Sequence, residues 1–168
     1  MRGDRLKARH LFSLPFTYSL IPFLMRFLGI DYGTRRIGLA YGDDLGIATP
    51  LPALTDAEPK KRREGLAAVV KQRRITELVV GFPYNMDGSV GFKAKEVEGF
   101  AESLKKEFGL PVHFIDERLT SHMAEAGMNQ KQLREIRGQG IVDSRAAAII
   151  LQDYLDQRFP PPLPGTEI

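Results

Sequence analysis

Three acidic residues stand where a core-forming chain has little use for charge. Asp31 lies within the apolar run FLGID, Glu117 directly follows the apolar run VHFID, and Asp143 follows Ile141-Val142 ahead of Ser144-Arg145 and three alanines. In an open α/β sheet, strand ends and nearby helix starts converge on a common crevice. Carboxylates gathered there repel one another and protonate unless a divalent cation neutralises them. Hard oxygen ligands that leave coordination positions open suit Mg²⁺ or Mn²⁺. Such a centre cleaves phosphodiesters, one metal activating water and the other stabilising the leaving oxygen. Read singly, each residue has a plainer explanation. Asp143 fits an N-cap, Asp31 fits turn chemistry before Tyr32-Gly33, and Glu117 fits a surface ion pair beside Asp116 and Arg118. Spacing alone leaves both readings open.

Residues able to meet a phosphate lie close to these acids in sequence. Gly33 lets backbone N–H groups approach an anion, and Thr34 with Arg35 or Arg36 can reach one, unless the four simply form a hairpin turn with solvated arginines. Asn85, Asp87 and Gly88 fall in a polar loop after an apolar strand, a usual place for binding residues as well as for mobile surface. Lys93 follows at a helix start, and Arg118 adjoins Glu117. Lys60-Lys61-Arg62-Arg63 and Arg73-Arg74 form basic patches that fit either a solvated helix face or nucleic-acid contact. His10, His113 and His122 have no metal-ligand spacing.

The elements that must position these groups follow from periodicity. Phe27–Tyr32 and Ile37–Tyr41 are short apolar runs across a four-residue turn, so an antiparallel hairpin is expected. Ile47–Leu54 reads as a third strand whose Pro50 and Pro52 favour an edge. Pro59 opens a helix over Lys60–Arg73, and Leu78-Val79-Val80 reads as a central strand covered on both faces. Phe92–Phe108 has helical period up to Gly109, and Pro111–Ile115 is the next strand. Helices are expected at Leu119–Met128, at Asn129–Arg137 and from Val142 to Arg158. The order β-β-β-α-β-α-β followed by helices, without internal repeat or linker, implies one α/β domain with a mixed sheet and helices on both faces.

Composition narrows the function classes. The 168 residues contain no cysteine, which removes disulfide frameworks, thiol nucleophiles and Cys-ligated metals. The net charge of +3 resides in residues 1–24, where Arg2, Arg5, Lys7 and Arg9 face only Asp4, so residues 25–168 are neutral. Nucleic-acid binding therefore has to come from local patches. The segment 1–24 turns from basic to apolar like a secretory leader, but Pro15 and Pro22 interrupt it and no small-residue cleavage site follows. It is expected to be an extension outside the fold, with Met25 as the true start. A weak membrane or targeting role is the alternative. The expected domain is 25–158, with a Pro-rich tail over 159–168.

Four strings occur in order: IDYGTRRIGLAYGD, VVGFPYNMDGSVG, DERLTSHMAEAGM and VDSRAAAIILQDYL. Together they closely resemble the YqgF family, also called RuvX, of pre-16S rRNA nucleases and Holliday-junction-resolvase-like proteins, over residues 25–157. The resemblance implies an RNase H-like fold with a five-stranded mixed sheet, and acidic site positions corresponding to Asp31, Glu117 and Asp143. It also implies a divalent cation, cleavage of structured nucleic acid and a cytoplasmic location in a bacterium. On this reading Asp31 and Glu117 are metal ligands and Asp143 is a second-metal ligand or water-orienting base. Gly33, Thr34, Arg35, Asn85, Lys93 and Arg118 contact substrate. The expected partners are precursor 16S rRNA, processed at its 5′ end, or branched DNA, with the ribosome a further partner and no membrane. The chain departs from the family before Asp143, where Arg134-Glu135-Ile136-Arg137-Gly138-Gln139-Gly140 is less basic, and at the N-terminal extension.

Two other functions compete. Asp31-x-Gly33-Thr34 also resembles the phosphate loop of the actin, Hsp70 and sugar-kinase class, but that class needs a second domain for which 25–168 has no room. A non-catalytic nucleic-acid or ribosome-binding protein on the same fold is the other, and intact carboxylates argue against it.

Overall fold

The computed structural model describes residues 24–117 and 141–160. The expected extension up to residue 23, the helices expected within 118–140 and the tail from 161 lie outside the described residues. The elements are β1 (Arg26–Tyr32), β2 (Ile37–Asp43), β3 (Thr49–Leu54), α1 (Pro59–Gln72), β4 (Glu77–Phe82), α2 (Phe92–Phe108), β5 (Val112–Asp116) and α3 (Ile141–Arg158).

The strands form one five-stranded sheet in the order β3-β2-β1-β4-β5. β1, β2 and β3 are antiparallel neighbours, and β4 and β5 run parallel to β1. This is the mixed sheet expected of an RNase H-like fold. β3 lies at an edge with Pro50 and Pro52 exposed, where a missing N–H removes no ladder bond. The first hairpin is tight: Tyr32 pairs with Ile37, and the Gly33 N–H donates to the Arg36 carbonyl at 2.9 Å. A Cβ at Gly33 would stand 2.8 Å from that same carbonyl oxygen, so the turn requires glycine.

Period-two alternation sends side chains to two cores. Leu28, Ile30, Leu39, Leu78 and Val80 pack with Leu66 of α1 and Val97 and Leu104 of α2 on one face. Phe27, Ala40, Val79 and Ile115 pack with Ile150, Leu151, Tyr154 and Leu155 of α3 on the other. Phe159, at the head of the expected tail, joins this second layer with its ring 6.1 Å from that of Phe27.

Two glycines bring α3 against the sheet. A Cβ on Gly29 would lie 2.6 Å from Leu151 Cβ and 2.8 Å from the Ala147 carbonyl oxygen; one on Gly42 would meet Leu155. Gly42 pairs with Phe27, two residues before Gly29, so α3 descends along β1 from Ala147 to Leu155. Residue 143 is one turn ahead of Ala147, so the backbone of the first turn of α3 lies towards the Asp31 end of β1. Among the described residues, no helix is long and apolar enough to cross a membrane.

Candidate active site

Asp31 comes at the penultimate position of β1 because the apolar strand needs its last inward positions, Ile30 and Tyr32, on the opposite face. Phe27 and Gly29 face α3, so by alternation Asp31 does as well. Ile30 is level with Val80 of β4, which brings Asp31 level with Gly81. Glu117 follows β5 and extends its ladder, its N–H donating to the Phe82 carbonyl at 3.1 Å. Its carboxylate folds back over Gly81: a Cβ there would stand 2.2 Å from Glu117 Oε1 and 2.6 Å from Ile150 Cδ1. The Glu117 carboxylate thus lies on the α3 face one strand away from Asp31, a spacing of about 5 Å between strands.

The environment of Glu117 is dominated by burial. Burial raises its carboxyl above the ordinary value; the Lys93 charge pulls the other way, and neighbouring Asp116 adds to the rise. Asp31 also borders a cleft of ≈ 300 Å³ whose other walls are Tyr32, Gly33, Thr34, Arg35, Arg36 and Lys93. Lys93 enters from the first turn of α2, and that helix is held to the end of β1 by the Tyr32 ring stacked on Phe100 with centroids 4.2 Å apart. One carboxylate, a hydroxyl and three cationic side chains therefore border a single opening, with Glu117 electrostatically linked to it through Lys93.

The structure brings Asp31, Gly33, Thr34, Arg35 and Lys93 together around that cleft. Gly33 contributes shape, because its N–H already closes the hairpin onto Arg36. Asn85 is used differently. Its amide donates to Ser89 Oγ at 2.8 Å and its backbone N–H to the Ser89 carbonyl at 3.0 Å, bracing the loop after β4. Asp87 completes the brace by accepting from the Ser89 hydroxyl and N–H, which hold its carboxyl below the ordinary value. Arg118 lies outside the described residues. The backbone of Asp143 is in the first turn of α3, and its side chain is likewise outside the description.

The basic patches resolve into separate roles. Arg62 is buried, and Arg63 pairs with Glu107 at 2.5 Å and donates to Ser103 Oγ at 2.9 Å while its guanidinium lies over Phe100. Arg73 lies 5.3 Å over the Tyr41 ring. Lys60, Lys61, Arg73 and Arg74 keep the exposure expected of a solvated or nucleic-acid-facing patch. Two residues important to the site escaped the reading of motifs. Gly81 carried a signal, since a glycine inside an apolar strand marks close approach. Arg62 carried none, because a cationic run looks the same whether its side chains are solvated or folded inwards.

Among the described residues no three carboxylate or imidazole groups gather closely enough to hold a metal ion. The Asp31 and Glu117 carboxylates nevertheless fit a hard divalent cation in chemistry: both are oxygen donors on one face, and the desolvation of Glu117 is relieved by added positive charge.

A family model described as "RuvX: Holliday junction resolvase" matches residues 25–157. A protein of Opitutus terrae named "Putative pre-16S rRNA nuclease" is 63% identical over 141 residues, covering 83% of this chain and 97% of the relative. One of the same name from Crocosphaera subtropica is 45% identical over 132 residues, covering 78% and 92%. A solved structure described as Thermus thermophilus RuvC in complex with a Holliday junction substrate aligns over 80% of this chain and 95% of its own, with 22% identity and a TM-score of 0.48.

Proposed function

The chain belongs to the RuvX family, and on that premise we propose that it is a divalent-metal-dependent nuclease that hydrolyses phosphodiester bonds in 5′-end processing of precursor 16S rRNA. The observation that carries this reading is the Glu117 carboxylate folded over Gly81, one strand from Asp31, beside a cleft with cationic walls. Two carboxylates, Glu117 desolvated and Asp31 bordering a cleft with arginine and lysine, make little sense as packing, and good sense where a cation and a phosphate meet.

Asp31 and Glu117, with Asp143 from the helix turn above them, would hold the cation, which when bound supplies an activated water and charge neutralisation at the phosphate. The chain's own residues supply the rest. Arg35 offers a planar, permanently charged fork to phosphate oxygens, and Lys93 a point charge in the same cleft. Thr34 donates its hydroxyl from the turn, and Arg118 is assigned to phosphate from its place beside Glu117. Asn85 supports substrate contact indirectly, by holding the shape of the loop after β4. On this reading the compartment is the cytoplasm and the ribosome or its precursor is the partner. The neutral charge of residues 25–168 makes affinity depend on these few contacts.

The test is cleavage of a 5′-extended rRNA precursor and of a four-way DNA junction by the full chain, with Mg²⁺, Mn²⁺ or EDTA. The expected result is metal-dependent cutting of the RNA. It is lost by about 100-fold or more in Asp31→Asn, with binding retained. Preferential cutting of the junction would move the assignment to the resolvase activity in the family's description. Binding without cutting of either, unchanged by Asp31→Asn, would leave a non-catalytic nucleic-acid-binding protein.

A further inference from the structure

Arg62 is the one buried cationic side chain among the described residues, only 7% exposed. It belongs to the first turns of α1, yet its guanidinium reaches back across the head of the helix to three backbone carbonyls. Nη1 donates to the carbonyls of Asp56 and Ala57, the latter at 3.1 Å, and Nη2 donates to the Thr34 carbonyl at 2.7 Å. Among the described residues no carboxylate pairs with it. A guanidinium buried without an acid is costly unless its donors are satisfied, and here carbonyl dipoles satisfy them.

The placement of those carbonyls gives the residue its meaning. Thr34 lies in the two-residue tip of the β1–β2 hairpin, where the ladder offers its carbonyl no strand partner. Arg62, 28 positions along the chain, supplies the missing donor. The tip it secures carries Thr34 and Arg35 into the cleft beside Asp31. Its other two contacts fix the β3–α1 connection. An apolar residue would serve burial equally well; only a forked donor can tie the tip, the connection and the helix into one body.

We propose that Arg62 is a positioning residue for substrate binding: it clamps the Thr34–Arg35 tip to α1, so that the tip meets a phosphate already ordered. The inference rests on the nuclease reading for its consequence and on geometry for the clamp. Because it acts through the tip and touches neither the carboxylates nor substrate, its loss should weaken binding more than chemistry.

The experiment compares the full chain with Arg62→Ala and Arg62→Lys, measuring kcat and KM on the cleaved substrate and amide hydrogen exchange along the chain. In Arg62→Ala, KM should rise about tenfold with kcat within about twofold. Exchange at Gly33 should quicken while β4 keeps its protection, and millimolar guanidinium should restore both. Arg62→Lys, which keeps the charge but not the fork, should fall between. If Arg62→Ala fails to fold, the same comparison is read on Arg62→Lys. Unchanged KM and unchanged exchange at Gly33 would overturn the clamp. So would an equal loss of protection in β1 and β4, which would make Arg62 a residue of the general fold. If the parent protein cuts no substrate, the nuclease reading falls by itself, and exchange at Gly33 with its guanidinium rescue still decides the clamp.

Discussion

The two ends of the layer between α3 and the sheet each hold a shielded glutamate, and they treat it in opposite ways. At the lower end Glu77, whose side chain is 12% exposed, accepts from His113 Nε2 at 2.7 Å and the Tyr154 hydroxyl at 3.2 Å, with Arg158 3.6 Å away. Burial raises the Tyr154 hydroxyl, and the neighbouring Glu77 charge raises it further, which keeps that proton available for donation. At the upper end Glu117 lies over Gly81, where burial dominates and the Lys93 charge offsets it incompletely. A carboxylate surrounded by its own donors is part of the architecture. One whose burial outweighs the neighbouring charge is a place where added positive charge is welcome, and the difference separates a structural acid from a candidate catalytic one.

The strongest way to break this contrast is Glu117→Gln. Activity should fall by about 100-fold or more, as for loss of a metal ligand. Stability should move the other way. Because the folded state raises the Glu117 carboxyl above its ordinary 4.5, folding favours the protonated form. That contribution is complete below the ordinary value and is lost as pH rises through the elevated one. Glutamine mimics the protonated acid, so urea unfolding should find the variant more stable than the parent at neutral pH and indistinguishable in acid. A variant less stable at neutral pH would show that burial does not dominate at Glu117.

Gly81→Ala sharpens the comparison by moving the carboxylate without removing it. The added methyl meets Glu117 Oε1 and the tip of Ile150, both flexible ends, so the stability cost should stay near 1–3 kcal/mol. A displacement of about an ångström at a reacting centre costs roughly 10–100-fold in rate, which cleavage kinetics would read directly.

Glu77→Ala applies the same logic to the lower end. Leaving His113 and Tyr154 without their acceptor should cost about 1–3 kcal/mol in chemical denaturation, while kcat/KM per folded molecule stays at the parent value. A fall in kcat/KM would mean that the two ends of α3 are coupled. The smallest effect is expected of Lys93→Gln, which removes one cleft cation. Nucleic-acid affinity should drop a fewfold, and the slope of log affinity against log salt should lessen by about one, measured by titration at several ionic strengths.

Much of this was legible in the chain. Short apolar runs announced β1, β2 and β4, Pro50 and Pro52 marked an edge strand, and Gly109 stopped α2, where it adopts φ 63°. Asp31 and Glu117 were visible because each interrupts or ends an apolar run. The basic run at 60–63 was less transparent: charge type is local information, but whether a long side chain lies outwards or threads into a gap depends on what stands opposite.

What the sequence by itself determined is the set of elements, the faces that the strands present and the identity of the acids, because these follow from periods of two and 3.6 residues and from local turn chemistry. Tertiary structure alone decided the surroundings of each acid. Glu77 meets residues 36 and 77 positions away, Glu117 covers a glycine on the neighbouring strand, and Arg62 finds its carbonyl 28 residues upstream. Desolvation and hydrogen bonding act over a few ångströms, and only the folded chain sets which residues fall within that distance.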